Sequence, residues 1–451
     1  MKLVVVGMGY VGVPVAALFA DVQGFSVTGI QRRSPRSAWK IDALNQGKSP
    51  IEADEPGLPE LLSKVVKKGT FKVTDDYSAC LDADAVIIAV QTPVDENHIP
   101  QYESLKEALV SVGDNLRKGT LVCLESTVAP GTTEHLAKPI LEERSGMRAG
   151  RDFGLLFSYE RVMVGRLLHN LQQYDRIVGG IDADSTERGI ALYKNIVKAS
   201  LHPTDALTAE VAKVTENAYR DVNIAFANEV ALACESLGVN VHNVRRFVNS
   251  LPNDASNPSS NPYRNMHVPG AGVGGHCLPK DSWLLIHGVE TYGHGRFTSK
   301  VIADSRIIND SMPLHVAKLA EEALGTRKRK LADSRVAILG LAFIENSDDP
   351  RNTPTEAIYK ALTGRCAELV VHDPYIREYE GYPLTQDLES AVRGKDCVII
   401  ATRHKEYLAI RPTYLKGLMR TPVVVDGRNT LNLDEFREVG FTFRGVGLPL
   451  K

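Results

Sequence analysis

At 451 residues the chain is too long for one compact core, so two or three domains are expected. Its 43% hydrophobic and 24% charged residues are ordinary for a globular protein, and a formal net charge of −2 gives no global pull toward nucleic acid or an acidic membrane surface. No run approaches the ~20 apolar residues of a membrane helix, and the opening Lys2-Leu3-Val4-Val5-Val6 does not read as a signal peptide. Six scattered cysteines, without a CxxC pair or metal-type spacing, argue against a disulfide framework or a metal site and for a reducing, cytoplasmic setting.

In chain order, short apolar runs at 3–6, 25–30, 71–74, 85–90, 121–125 and 153–157 alternate with helix-like segments and predict a parallel α/β sheet. From about 205 to 237 the pattern becomes one long helix without Pro or interior Gly. A loop rich in Pro, Asn, Ser and Gly follows at 252–275, then further helix to about 324. The run Arg327-Lys328-Arg329-Lys330 reads as a solvated linker. Strands at 336–339, 369–371, 397–401 and 423–426 restart the α/β alternation. The expected organisation is a Rossmann-type dinucleotide-binding domain at 1–200, a helical domain at 201–325 and a C-terminal Rossmann-like domain at 326–451.

Gly7-Met8-Gly9-Tyr10-Val11-Gly12 lies between the first strand and a predicted helix. Its first glycine permits the turn, the second admits a pyrophosphate and the third lets helix and strand pack closely. The diphosphate is expected on the amides and positive dipole end of that helix. At the end of the second strand, where an acid usually holds the adenosine ribose, stands Gln31, followed by Arg32 and Arg33. NAD and NADP therefore both remain open.

The segment Gly270-Ala271-Gly272-Val273-Gly274-Gly275-His276-Cys277-Leu278-Pro279-Lys280-Asp281 brings four glycines to a cysteine at a predicted helix start. Helix-start amides, the dipole and Lys280 favour a thiolate, the reactive form, so Cys277 is the candidate covalent nucleophile. On the long helix Glu210, Lys213 and Asn217 share a face, and a Lys with an amide can donate to a developing oxyanion. Asp221 and Asn228 follow on the same helix. Glu125-Ser126-Thr127-Val128-Ala129-Pro130-Gly131-Thr132-Thr133 follows a strand on the cofactor side of the sheet, with hydroxyls suited to position water or nicotinamide, or to cap a helix.

Together these segments resemble the UDP-glucose/GDP-mannose (sugar-nucleotide) 6-dehydrogenase family, nearly end to end. Further anchors are Gln91-Thr92-Pro93, Ser158-Tyr159-Glu160-Arg161, Gly340-Leu341-Ala342-Phe343, Asp349-Pro350-Arg351, His372-Asp373-Pro374 and Asp426-Gly427-Arg428-Asn429. The loop from Tyr263 to Gly270 with Gly-Gly-His-Cys is closest to the UDP-N-acetylhexosamine branch, acting on a ManNAc, GlcNAc or GalNAc sugar.

The resemblance implies a four-electron oxidation of the sugar C6 alcohol to the carboxylate with two NAD per turnover. Cys277 would attack the intermediate aldehyde, and water would hydrolyse the later thioester. Lys213 and Asn217 would hold the oxygen, Asp281 would act as base, Thr127 would orient water, and Glu160 would assist hydrolysis or positioning. Cofactor contacts are implied at Gly7, Gly9, Tyr10, Val11, Gly12, Gln31, Arg36, Thr92, Thr127, Lys280 and Arg351. Substrate contacts are implied at Glu160, Arg161, Lys213, Asn217, Arg264, Gly272, Gly274 and Arg428. Three positions depart from the family pattern: Gln31 for the acid, Ile344 for a lysine and Tyr159 for a proline.

Two rival readings stand beside this one: a two-electron β-hydroxy acid dehydrogenase, which needs no thiol, and a non-catalytic nucleotide-sugar-binding regulatory subunit. The apolar surface of the long helix predicts a homodimer or higher homo-oligomer.

Overall fold

The computed structural model describes residues 1–35, 37–51, 55–250, 265–295 and 297–449. They form two compact units, one of residues 1–216 with 283–298 and one of residues 217–282 with 299–451.

The first unit is built on eight strands: β1 (Lys2–Val6), β2 (Ser26–Ile30), β3 (Phe71–Thr74), β4 (Ala85–Ile88), β5 (Leu121–Leu124), β6 (Gly154–Phe157), β7 (Arg176–Gly180) and β8 (Leu201–Asp205). Their spatial order is β3-β2-β1-β4-β5-β6-β7-β8. The sheet is parallel except where β7 runs against β6. The inner strands read as unbroken Val, Ile and Leu because both faces are covered. Leu3, Val5, Ile87 and Leu156 pack to one side, and Val4, Val6, Val86 and Leu155 to the other. The alternation had not revealed β7 and β8. The edge strand β8, Leu-His-Pro-Thr-Asp, is mostly exposed and carries Pro203, a residue confined to edges because it donates no ladder bond.

The second unit carries six strands: β9 (Arg335–Leu339), β10 (Glu368–His372), β11 (Leu384–Thr385), β12 (Cys397–Ile400), β13 (Val423–Asp426) and β14 (Thr442–Gly445). The order β11-β10-β9-β12-β13-β14 repeats the arrangement of the first six strands, and every pairing is parallel. The four predicted strands are present; the short β11 and the mixed Thr-Phe-Arg-Gly of β14 are additional. Gly340 after β9 takes φ +102, and a Cβ there would lie 2.4 Å from Thr402. Here the turn amides are satisfied from within: Leu341 and Ala342 donate to Asp373 Oδ2 at 2.7 and 2.9 Å.

The long helix runs Ala206–Leu237, within a residue of its predicted start. The helices Leu278–Tyr292 and Val301–Thr326 account for the helical sequence predicted up to 324. In the second unit Ala227, Ala231 and Cys234 of the long helix join Met312, Val316, Ala320 and Ala323 against Val336, Ile338 and Ile399 of the sheet.

Candidate active site

In the first unit the chain turns at the carboxyl ends of β1 and β4, the switch point where ligands of such sheets bind. The three motif glycines have three different physical reasons. Gly7 takes φ +97 and an added Cβ would lie 2.4 Å from the carbonyl oxygen of Ala89. A Cβ on Gly12 would lie 1.8 Å from the Gly7 oxygen, so only glycine lets the helix Gly12–Asp21 start there. A Cβ on Gly9 would meet nothing within 4 Å, which leaves the space a pyrophosphate needs. The turn therefore fits a dinucleotide, with Tyr10 and Val11 at the helix start.

Gln31 holds the same turn: its Oε1 accepts from the Met8 amide at 3.2 Å, and its Nε2 donates to the Arg32 oxygen. Arg32 and Arg33 are engaged on the surface, each at 2.9 Å, with Glu107 and Asp75. Such exposed pairs contribute little and exchange readily. Arg36 lies outside the described residues.

The segment after β5 is fixed along its length. Ser126 Oγ donates to the Val90 oxygen at 2.8 Å and accepts from the Val90 amide at 2.9 Å. Thr92 Oγ1 donates to the Thr127 carbonyl at 2.5 Å, and the Ala129 amide donates to the Tyr102 hydroxyl at 2.8 Å. Glu210 of the long helix takes the remaining donors: the Gly131 amide at 2.6 Å, the Thr133 amide at 2.8 Å and Thr133 Oγ1 at 2.6 Å. Burial pushes the Glu210 carboxyl up to about 7 against those donors.

Lys213, one turn further and buried, donates to the Glu160 carbonyl at 2.9 Å and lies 3.7 Å from Glu160 Oε1. Its ammonium also sits 5.3 Å from the centre of the buried Tyr159 ring. Tyr159, which departs from the family pattern, thus gives that cation an aromatic face. Glu160 Oε2 accepts from the Val162 amide at 2.6 Å, which fixes the carboxylate locally. The Arg161 guanidinium is tied to Glu216 and to the Asp175 carbonyl, both at 2.9 Å.

In the second unit Cys277 caps the helix Leu278–Tyr292: its carbonyl accepts from the Lys280 and Asp281 amides at 3.0 and 2.9 Å. Pro279 falls in the first turn, as expected. Asp281 is fully buried and bridges two partners, taking Lys280 Nζ at 2.8 Å on Oδ1 and Asn217 Nδ2 at 2.6 Å on Oδ2. Cys277 is half-buried. Cys80 and Cys123 are buried and pushed up to about 12 by that burial, and Cys397 is pushed higher still. Such thiols are poor nucleophiles.

The glycines before Cys277 are packed tightly. A Cβ on Gly274 would lie 2.6 Å from Phe343, and one on Gly272, where φ is +119, 3.0 Å from Pro313. The Gly275 amide donates to the Arg351 carbonyl at 2.9 Å, and Asn352 Nδ2 returns a bond to the Gly275 oxygen at 3.0 Å. Arg351 grips Asp349 through Nε and Nη2. Arg428, expected at the substrate, uses Nε and Nη2 on the carbonyls of Ala401 and Gly272 at 2.9 and 3.1 Å; burial lowers it to about 10. His276 is held down to about 4 by burial and by the charges of Lys280 and Arg351. Arg264 lies outside the described residues.

The structure therefore brings Thr92 to Thr127 and Glu160 to Lys213 in the first unit, and Cys277, Lys280, Asp281 and Asn217 together in the second. Two networks had no sequence assignment. One is Glu210 with Thr133. The other is Asp221, buried with Arg306 and Asn309, whose partner Asn228 accepts from the Gly270 amide at 2.9 Å. The helix-like start at Thr133 carries no local side-chain cap, a sign that an acceptor must come from elsewhere. Among the described residues no cluster of His, Cys, Asp or Glu is placed to hold a metal, and no helix is long and apolar enough to cross a membrane.

A glycine turn shaped for a dinucleotide, at the switch point of a mostly parallel sheet, defines the first unit as a dinucleotide-binding domain. Comparison with known proteins makes this specific. Residues 1–197 match the NAD binding domain of the UDP-glucose/GDP-mannose dehydrogenase family, residues 207–311 its central domain and residues 337–433 its UDP binding domain. The chain is 37% identical to a UDP-N-acetyl-D-mannosamine dehydrogenase of Pyrococcus horikoshii, over 99% of each chain. Among solved structures it resembles an NDP-N-acetyl-D-galactosaminuronic acid dehydrogenase of Methanosarcina mazei (TM-score 0.90, 43% identity, 100% of this chain and 95% of that one). A UDP-glucose dehydrogenase of Pyrobaculum islandicum is similar at TM-score 0.83 and 29% identity, covering 99% and 98%. The chain belongs to the UDP-glucose/GDP-mannose dehydrogenase family. It is an NAD-dependent nucleotide-sugar dehydrogenase, as its motifs implied.

Proposed function

We propose that the enzyme oxidises the C6 hydroxyl of a UDP-N-acetylhexosamine to the carboxylate in two steps through Cys277. The observation that carries this reading is Cys277 capping its helix with Asp281 one turn on, bonded to Lys280 and Asn217. Bound NAD supplies the hydride acceptor at each oxidation, one molecule per step.

In the first oxidation Asp281 takes the hydroxyl proton, directly or through a water, as hydride leaves C6. The Cys277 sulfur then forms a bond to the aldehyde carbon, and the former carbonyl oxygen becomes an alkoxide or hydroxyl. Lys213 and Asn217, one turn apart on one continuous helix, donate to that oxygen. Loss of the second hydride leaves a thioester. Water, oriented by Thr127 with help from Glu160, cleaves it and returns the thiol.

In this reading residues 1–200 hold the dinucleotide, with Gly7, Gly9, Tyr10, Val11, Gly12, Gln31, Thr92 and Thr127 lining it. Residues 201–325 carry the nucleophile, and residues 326–451 hold the nucleotide end of the substrate. Similarity to dehydrogenases named for both N-acetylmannosamine and N-acetylgalactosaminuronic acid supports an N-acetylated sugar. The six free thiols support a reducing, cytoplasmic setting.

We also infer a homodimer through the long helix. Tyr219, Phe226 and Leu237 are 67%, 56% and 78% exposed, and their spacing places them on one face.

The test is the number of NADH formed per sugar with UDP-ManNAc, UDP-GlcNAc, UDP-GalNAc and UDP-glucose, for the native enzyme and Cys277→Ala. Two NADH per sugar, falling to one or none in the variant, supports the thiol route and identifies the sugar. One NADH, indifferent to the substitution, sinks it in favour of two-electron chemistry.

A further inference from the structure

The long helix carries a carboxylate that the reaction above does not use. Glu210 is 1% exposed and faces the segment after β5. Its two oxygens accept three donors, from Gly131 and Thr133, at the head of the π-helical turn Thr133–Ala137, which continues into the helix Lys138–Ser145. Thr132 offers no side-chain cap, so a partner 77 residues away in sequence satisfies amides that a local Ser or Asp usually serves. A carboxylate is suited to this place, because the positive end of a helix stabilises it.

The other ends of the segment are held by neutral groups: Ser126 on Val90, Thr92 on Thr127 and Tyr102 on Ala129. On the far side Gly131, at φ +95, lies where a Cβ would come within 2.6 Å of Tyr292, and a Cβ on Gly288 would come within 2.6 Å of Pro130. The segment is thus pinned against two neighbours, and Glu210 is the sole carboxyl among these bonds. Lys213 is on the same helix one turn later and reaches Glu160. A displacement of the segment would therefore move Thr127 relative to the helix that carries Lys213.

We propose that Glu210 is a positioning residue that clamps the segment bearing Thr127 to the long helix and so sets the place of Thr127 for the reaction. The proposal rests on the role given above to Thr127. Glu210 itself touches neither sugar nor dinucleotide in this reading; it acts through Thr133 and Gly131. Glu210→Gln keeps the shape but turns an NH2 toward donors, so at least one of the three bonds is lost.

The test is a double-mutant cycle of Glu210→Gln and Thr127→Ala, read as kcat and as KM for NAD. The expected Glu210→Gln variant loses kcat by about 10- to 100-fold, the scale of a misplaced catalytic group, and changes KM for NAD no more than Thr127→Ala does, because Thr127 also lines the dinucleotide. Added to Thr127→Ala, it costs less than about threefold more, because the residue it positions is already gone. Thr133→Ala, which removes one donor and leaves the carboxylate, shows the same split at smaller size and serves if Glu210→Gln does not fold. Full multiplication of the two single losses overturns the clamp, as does a raised KM for NAD at unchanged kcat. If Thr127→Ala alone is silent while Glu210→Gln is slow, the Thr127 assignment fails and a clamp acting through it fails too. A loss in both singles that multiplies fully leaves the Thr127 assignment standing and removes only the clamp.

Discussion

The side-chain amide of Asn217 donates to Asp281 Oδ2 at 2.6 Å, while the other oxygen of that buried carboxylate takes Lys280. One carboxylate thus joins the long helix to the first turn of the helix that Cys277 caps. Two partners leave Asp281 oriented and with lone pairs still open to a proton. Its ion-pair partner Lys280 is itself buried, so removing one member of the pair leaves an uncompensated buried charge.

Replacing Asp281 should therefore affect both chemistry and stability. Asp281→Asn keeps the shape but loses the base and the countercharge of Lys280, and kcat should fall by about 10²- to 10⁴-fold, the range of general base catalysis. Asp281→Ala strands the Lys280 ammonium with no acceptor at all and should cost about 3–5 kcal/mol in urea unfolding, the larger loss of the two. Equal activity in Asp281→Asn and the native enzyme would remove Asp281 from the mechanism.

The glycine turn predicts opposite phenotypes for neighbouring substitutions. Gly12→Ala drives a methyl into the Gly7 carbonyl and should destabilise the fold by about 1–3 kcal/mol or more. Gly9→Ala meets no protein atom, so its melting temperature should stay native. Its KM for NAD should rise on the order of tenfold, equivalent to about 1.4 kcal/mol. Thermal melts and NAD titrations of the two variants decide this, and a Gly9→Ala enzyme with native KM would place the pyrophosphate elsewhere.

His276 gives a pH signature. Its folded value of about 4 lies below the usual 6.5, because burial and the nearby Lys280 and Arg351 disfavour the imidazolium. A depressed value means that the neutral ring's contribution is fully present above pH 6.5 and is lost as pH falls through about 4. Urea unfolding from pH 7 to pH 4 should show a shallower decline for His276→Asn than for the native protein. An NMR titration should find the native ring neutral at pH 5.5; a protonated ring there would contradict the buried environment.

The subunit contact is tested at Phe226, exposed on the face it shares with Tyr219 and Leu237. Phe226→Lys should shift sedimentation from dimer to monomer at micromolar concentration with an unchanged far-ultraviolet spectrum. A native protein that is already monomeric would sink the dimer.

Much of this protein could be read from its order of residues. The runs at Leu3 to Val6 and Val423 to Asp426 are strands because unbroken apolar stretches bounded by Gly or Pro have few other solutions. The 32-residue helix was legible from the absence of breakers, and the glycine turn and the cysteine after Gly-Gly-His were legible as motifs. These are local signals, carried by neighbours in sequence.

Pairings across long separations, in contrast, are set by the packing of the whole chain. β8 was missed because its exposed Leu-His-Pro-Thr-Asp has no buried face to impose alternation. Glu210 stood out in the sequence as a helix residue beside Lys213, but its partners lie 77 and 79 residues away. Likewise Arg428, an inviting phosphate ligand by motif, spends donors on the carbonyls of Ala401 and Gly272. A side chain's chemistry is fixed by its type; its partner is fixed by which backbone groups the fold leaves unsatisfied beside it, and that is set by packing between segments far apart in the chain.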